Sequence, residues 1–96
     1  MKKKIQVLIV DDHYLLRIGL ANSLNVENDI ACVGEAKTGA EAIELYRKLT
    51  PDIVLMDLRL PDMSGIDATA KLSQLFAGII PPIINISKAF VSTANR

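Results

Sequence analysis

The chain has 96 residues, half of them hydrophobic, and its 11 basic and 11 acidic side chains give a formal net charge of zero. This length suits one small domain, and the balanced charge argues against direct binding to nucleic acid or to a membrane surface. No apolar run approaches the roughly 20 residues that cross a bilayer, and acidic residues follow the first apolar run too early for a secretory signal.

The first segment, "IQVLIV", is a short apolar, β-branched run of the kind found in a strand buried on both faces. It ends at two adjacent acids, Asp11 and Asp12. In the next segment apolar residues recur every fourth position, the spacing of one helix face: Leu16, Leu20 and Leu24. A helix over 14–24 is therefore predicted.

A second strand is predicted for "DIACVGEA" and a second helix for "TGAEAIELYRKL". Thr38 and Glu41 have the spacing of a capping box at the start of that helix. Its inner face would consist of Ala42, Ile43, Tyr46 and Leu49. The single cysteine, Cys32, lies in the strand and can form no internal disulfide, which predicts a buried, reduced thiol and a cytoplasmic protein.

The third strand, "PDIVLMDL", again leads from an apolar run to an acid, Asp57. The loop "RLPDMSG" follows, and Ser64 can cap a helix from Ile66 to about Phe76 that Gly78 would end. "PIINIS" reads as a fourth strand in which Pro82 is acceptable only at the start, because proline has no amide hydrogen for the strand ladder.

Alternating strands and helices predict an α/β fold with a parallel sheet and helices on both faces. Ligands of such folds bind at the carboxyl ends of the strands. That rule selects four side chains: Asp11, Asp12, Asp57 and Ser87. Any one of these acids could simply cap the following helix, but three at matching strand ends favour a functional site.

Three converging carboxylates would repel one another unless a cation neutralised them. Oxygen ligands suit Mg²⁺, and a carboxylate beside the metal could attack a phosphoryl group. The pattern therefore predicts a magnesium site, with Asp57 as a nucleophile that becomes an acyl phosphate.

The segments "VLIVDDHYLLRIGL", "VGEAKTGAEAIEL" and "DIVLMDLRLPDMSGIDA" resemble the receiver domain of bacterial two-component response regulators, especially the subfamily with a LuxR/NarL-type effector. The resemblance implies a flavodoxin-like doubly wound sheet with strand order 2-1-3-4 in this chain. It also implies that Asp57 is the phosphoacceptor and that Asp11 and Asp12 serve Mg²⁺. The backbone carbonyl of Arg59 would be a further metal ligand, and Ser87 would be the switch hydroxyl.

The function implied by the resemblance is that of a signalling domain rather than an enzyme, apart from self-phosphorylation and autodephosphorylation. A histidine kinase or a small phosphodonor would supply the phosphoryl group, and a full-length parent would pass the signal to a DNA-binding effector. Two alternatives are a receiver fragment that no longer switches and acts as an oligomerisation module, and a phosphohydrolase of the haloacid dehalogenase type. The second is disfavoured because its two acids would be spaced D-x-D, whereas Asp11 and Asp12 are adjacent.

The resemblance weakens after Ser87. A complete receiver continues to a fifth strand that ends in a lysine, but Lys88 follows Ser87 directly, so that role is not assigned to it. We therefore expect residues 1–96 to form a single incomplete receiver domain, with the fifth strand and last helices missing or replaced and 88–96 as an atypical tail. The exposed edge of the fourth strand would favour a homo-oligomer, an expectation that a compact monomer in sedimentation would contradict.

Overall fold

The computed structural model describes residues 3–76 and 82–86. Four strands and three helices alternate along them. They are β1 (Ile5–Val10), α1 (Tyr14–Asn25), β2 (Ile30–Ala36), α2 (Gly39–Leu49), β3 (Ile53–Asp57), α3 (Gly65–Leu75) and β4 (Ile83–Ile86). All seven elements are those predicted from the sequence, with boundaries that differ by a few residues at most.

The four strands form one parallel sheet in the order β2-β1-β3-β4. β1 is central and pairs with β2 on one side and β3 on the other, so its apolar run is buried from Val7 to Val10. The strand order and the parallel pairing are as predicted. Among the described residues β4 lies at the edge, where Ile84 is 51% exposed, and the expected oligomer stays a prediction.

Helices cover both faces of the sheet, because alternate side chains of a strand point to opposite faces. Leu8 and Val10 of β1 pack with residues of α2 and α3 in one buried cluster. Val7 and Ile9 pack with residues of α1 in a second cluster. The strand connections through α1 and through α2 therefore lie on opposite sides of the sheet.

The predicted ends of α2 are largely confirmed. The Thr38 hydroxyl accepts the Glu41 N–H over 3.0 Å, which is one half of the predicted capping box. The other half differs: the Glu41 carboxylate accepts from the N–H of Lys37, over 2.8 Å, one residue before the cap. The predicted inner face is correct, since Ala42 and Tyr46 are buried and the other two members are half-buried.

Ser64 caps α3 as predicted, because its hydroxyl accepts the Asp67 N–H over 3.0 Å. Pro82 precedes β4 and joins the ladder only through its carbonyl, which accepts the Val54 N–H over 3.0 Å. The predicted helix-ending Gly78, the switch residue Ser87 and the segment 88–96 lie outside the described residues.

Cys32 lies on β2 and is half-buried rather than fully buried. Burial is the main cause that raises the pKa of its thiol, and the nearby Glu35 charge adds to the effect. The thiol is therefore held in its protonated, less reactive form. No helix in the described part of the chain is long and apolar enough to span a membrane.

Candidate functional site

The carboxyl ends of β1 and β3 bring three acidic side chains together. Asp11 and Asp12 follow β1, and Asp57 is the last residue of β3. Each of the three offers a carboxylate oxygen, and these oxygens lie within 4.8 Å of one another. Asp11 and Asp57 are almost fully buried, at 0% and 1% exposure, whereas Asp12 is exposed and opens the cluster to solvent.

The strand order explains why the cluster forms at this point. After β1 the chain crosses one face of the sheet through α1, and α2 and α3 pack on the other face. Since β1 and β3 are neighbours and their following connections diverge, a crevice forms at their carboxyl ends. The three acids lie at this crevice because Asp57 is the last residue of β3 and Asp11 and Asp12 directly follow β1.

The loop from β1 to α1 holds its first acid firmly. The backbone N–H of Asp11 donates to the Ala36 carbonyl at the end of β2 over 2.9 Å. One Asp11 carboxylate oxygen then accepts the N–H of His13 over 2.7 Å. His13 occupies the N-cap position of α1 and is exposed, and its imidazole makes no capping hydrogen bond to that helix.

The loop from β3 to α3 folds back onto the end of β3. Gly65 donates its N–H to the Leu58 carbonyl over 2.8 Å, and Arg59 donates its N–H to one Asp57 carboxylate oxygen over 3.3 Å. Gly65 has to lack a side chain here, because a Cβ would overlap the backbone carbonyl of Asp57. The tight loop keeps the Arg59 backbone next to Asp57.

Arg17, in the first turns of α1, is a site residue that the sequence analysis did not select. Its Nη1 donates to the backbone carbonyl of Asp11 over 2.8 Å, and its Nε donates to a Glu35 carboxylate oxygen over 3.0 Å. Its guanidinium carbon also lies 5.5 Å from the centre of the Tyr14 ring. In the sequence Arg17 is marked only by its position next to Leu16 of the predicted apolar helix face. The acceptors of its hydrogen bonds lie outside α1, so the helix pattern does not reveal them.

Asp62 is the second residue that was missed. At the tip of the β3–α3 loop, its carboxylate accepts the N–H groups of Gly39 and Ala40, the first two residues of α2, over 2.8 and 3.0 Å. The hydrogen bond from Gly39 is the main cause that lowers the pKa of Asp62. The Met63 side chain covers Gly39 so closely that a Cβ there would overlap it, and the loop is thereby fastened to α2.

The donor set fits a magnesium ion better than a softer metal. All three side chains offer carboxylate oxygens, which Mg²⁺ prefers, and the cluster holds neither histidine nor cysteine, the usual ligands of zinc. The exposed side chain of Asp12 leaves room for the water ligands that Mg²⁺ usually keeps.

The arrangement of acids on this fold agrees with the comparison to known families. The family model described as "Response regulator receiver domain" matches residues 7–95. The chain belongs to the response regulator receiver family. This confirms the resemblance inferred from the sequence.

Individual relatives of the receiver domain are regulators of the predicted subfamily. The response regulator protein VraR of Staphylococcus saprophyticus is 47% identical over 70 residues, which cover 73% of this chain and 34% of VraR. The chain thus spans about a third of the length of the curated relatives it matches.

Solved structures show the same fold. A LuxR-family two-component response regulator from Aurantimonas superposes with a TM-score of 0.82 at 35% identity, covering 97% of this chain and 68% of the other. The signal receiver domain of the response regulator NarL from Mycobacterium tuberculosis gives a TM-score of 0.80 at 34% identity, covering 97% and 77%.

Proposed function

We propose that this receiver domain accepts a phosphoryl group on Asp57 in a Mg²⁺-dependent reaction and passes the change on as a conformational signal. The observation that carries the proposal is the cluster of Asp11, Asp12 and Asp57, whose carboxylate oxygens lie within 4.8 Å of one another at the end of two adjacent strands. The metal would be held by these three side chains and by the backbone carbonyl of Arg59.

In the proposed reaction a carboxylate oxygen of Asp57 attacks the phosphorus of the donor. A new O–P bond forms, and the bond from phosphorus to the leaving group breaks: acetate leaves from acetyl phosphate, and an imidazole leaves from a phosphohistidine. The Arg59 N–H, bonded to one Asp57 oxygen, helps to orient the carboxylate. Bound Mg²⁺ would neutralise the carboxylates and the phosphoryl oxygens.

The phosphoryl donor in this proposal is a histidine kinase or a small phosphodonor, and the domain is a signalling unit of the cytoplasm rather than an enzyme with turnover. Ser87, outside the described residues, would donate its hydroxyl to the phosphoryl group and begin the loop movement. The similarity to LuxR-family and NarL response regulators supports a DNA-binding effector as the recipient of the signal in a full-length parent.

The test is phosphorylation by acetyl phosphate with Mg²⁺, followed by intact-protein mass and by amide NMR shifts. The wild type should gain one phosphoryl group and show shifts in the loops that follow β1 and β3. Asp57→Asn should gain none. Asp29→Asn is the matched control, because Asp29 is an exposed acid just before β2, at the amino ends of the strands, whereas the acid cluster lies at the carboxyl ends. This variant should behave as the wild type.

The same experiment separates the alternative of a receiver that no longer switches. Such a domain would bind other copies or partners without responding to the donor. No mass gain in the wild type, or an equal gain in Asp57→Asn, would contradict the proposed phosphoacceptor. A mass gain without shifts beyond the loops themselves would support a phosphoacceptor that does not relay a signal.

A further inference from the structure

Arg17 connects three parts of the molecule around the acid cluster. From α1 it reaches the backbone carbonyl of Asp11 with Nη1, at 2.8 Å, and the carboxylate of Glu35 on β2 with Nε, at 3.0 Å. Only 13% of its side chain is exposed, compared with 37% for Glu35. The guanidinium is thus held in one orientation by a partner on β2 and a partner in the loop between β1 and α1.

Arg17 holds the loop mainly through its directed hydrogen bond to the Asp11 carbonyl, and the ion pair with Glu35 contributes less. Glu35 is partly exposed, and ion pairs of that kind contribute little to stability. The hydrogen bond to the Asp11 carbonyl is charge-assisted and mostly shielded from water, so it is stronger than a neutral one. Only the planar fork of an arginine can donate to both acceptors at fixed angles.

The Asp11 carbonyl is the point where β1 ends and the acidic loop begins. On its strand side the Asp11 N–H is bonded to Ala36, and on its loop side the Asp11 carboxylate accepts from His13. The bond from Arg17 fixes the peptide plane between Asp11 and Asp12. Because that plane sets the direction in which the exposed Asp12 side chain leaves the backbone, Arg17 controls the relative placement of two of the three carboxylates.

We propose that Arg17 is a positioning residue that holds the loop between β1 and α1 in the geometry needed for Mg²⁺ binding. The proposal rests on the proposed function, since it concerns the same acid cluster. Groups that orient metal ligands without touching the metal typically contribute about 10- to 100-fold to metal affinity. The binding of Mg²⁺ should therefore weaken about tenfold or more when the Arg17 fork is removed.

The experiment measures Mg²⁺ affinity by NMR titration and, in protein without metal, the hydrogen exchange of the His13 amide. Arg17→Ala should weaken Mg²⁺ binding about tenfold or more and should expose the His13 amide to faster exchange. Arg17→Lys keeps the charge but not the fork and should fall between Arg17→Ala and the wild type. Glu35→Gln keeps the contact with the Asp11 carbonyl and should retain most of the affinity.

Asn25→Ala is the matched control. Asn25 also links α1 to β2, because its side-chain oxygen accepts the Cys32 N–H over 2.8 Å, but it does so at the end of α1 remote from the acids. This variant should lose some stability to urea and no Mg²⁺ affinity. If Arg17→Ala and Asn25→Ala lowered stability equally and neither changed Mg²⁺ affinity, Arg17 would be only a structural link and the proposal would be wrong.

The metal-free measurement keeps this proposal distinct from the proposed function. If the wild type bound no Mg²⁺, both the phosphoacceptor proposal and the role of Arg17 in metal binding would fail. Faster His13 exchange in Arg17→Ala would then still show that Arg17 orders the loop. If the wild type bound Mg²⁺ and a folded Arg17→Lys bound it equally with unchanged His13 exchange, the positioning role alone would be overturned. Should Arg17→Ala fail to fold, Arg17→Lys and Glu35→Gln decide the outcome.

Discussion

Among the described residues, Thr50 is the one non-glycine residue with a positive φ, at 41°. It ends α2 in a left-handed conformation, and its N–H donates to the Tyr46 carbonyl over 2.9 Å. A β-branched side chain is disfavoured in this conformation by roughly 1–2 kcal/mol, whereas glycine adopts it readily.

We therefore expect Thr50→Gly to raise the free energy of unfolding by about 1 kcal/mol, measured by urea denaturation, because the gain exceeds the entropy cost of the added glycine. Glu44→Gly, in the middle of the same helix, is the control and should lower that free energy by about 1 kcal/mol. An equal loss in both variants would show that the left-handed conformation of Thr50 is not strained.

At the scale of single residues, the acids could be placed from the sequence and their supports could not. Asp57 and the acid pair end apolar runs, and the carboxyl ends of parallel strands lie at the same end of a sheet, so the pattern alone places the three acids at that end. Arg17 bonds to Asp11 in the preceding loop, 6 residues away, and to Glu35 on β2, 18 residues away, and the partners of Asp62 on α2 are 22 and 23 residues away along the chain. No local spacing reports such a contact.

At the scale of elements, Asp62 and Thr38 both cap α2, but only Asp62 ties that helix to the β3–α3 loop. Thr38→Ala should lower the free energy of unfolding by about 1 kcal/mol at every pH, because a hydroxyl does not titrate in the working range. Asp62→Ala should also destabilise the domain at neutral pH. It should in addition shift the amide signals of the loop that carries Arg59, which Thr38→Ala should leave unchanged.

The free energy of unfolding lost in Asp62→Ala should depend on pH, whereas the loss in Thr38→Ala should not. Hydrogen bonding to the α2 backbone lowers the folded-state pKa of Asp62 below its ordinary value of 3.8. Its stabilising contribution is therefore complete above that value and is lost as pH falls through the folded pKa. The difference between the wild type and Asp62→Ala should therefore shrink below about pH 4, while the Thr38→Ala difference persists. Urea denaturation at a series of pH values measures both, and a constant Asp62→Ala difference would contradict the assignment.

The element boundaries were predictable because turn and cap residues mark them. Thr38 and Ser64 cap the starts of their helices, as the sequence indicates. Each hydroxyl accepts a hydrogen bond from the backbone N–H three residues later in the chain. The detail that failed is the second half of the α2 capping box, where the Glu41 carboxylate turns to Lys37. Two neighbouring N–H groups compete for that carboxylate, and spacing alone does not choose between them.

At the scale of the whole molecule, the alternation of strands and helices predicts a parallel sheet, whereas the order 2-1-3-4 came from the family resemblance. The crevice depends on that order, because it places β1 next to β3 while α1 packs on the opposite face from α2 and α3. The same strand order brings three carboxylates close together, those of Asp11, Asp12 and Asp57. Global stability should therefore depend on their charge.

Without Mg²⁺, Asp57→Asn should be more stable than the wild type by about 1–3 kcal/mol, because it removes one of three like charges while nearly preserving the shape of the side chain. With Mg²⁺ at about 100 times its Kd, the wild type should gain about 2.7 kcal/mol and Asp57→Asn should gain less, so the difference between them should narrow or reverse. Urea denaturation in EDTA and in MgCl₂ measures both free energies, with Asp29→Asn as the control whose difference from the wild type is the same in both. If Asp57→Asn were no more stable than the wild type in EDTA, repulsion among the acids would not be a cost of the metal-free fold, and the cluster would need no cation to offset that repulsion.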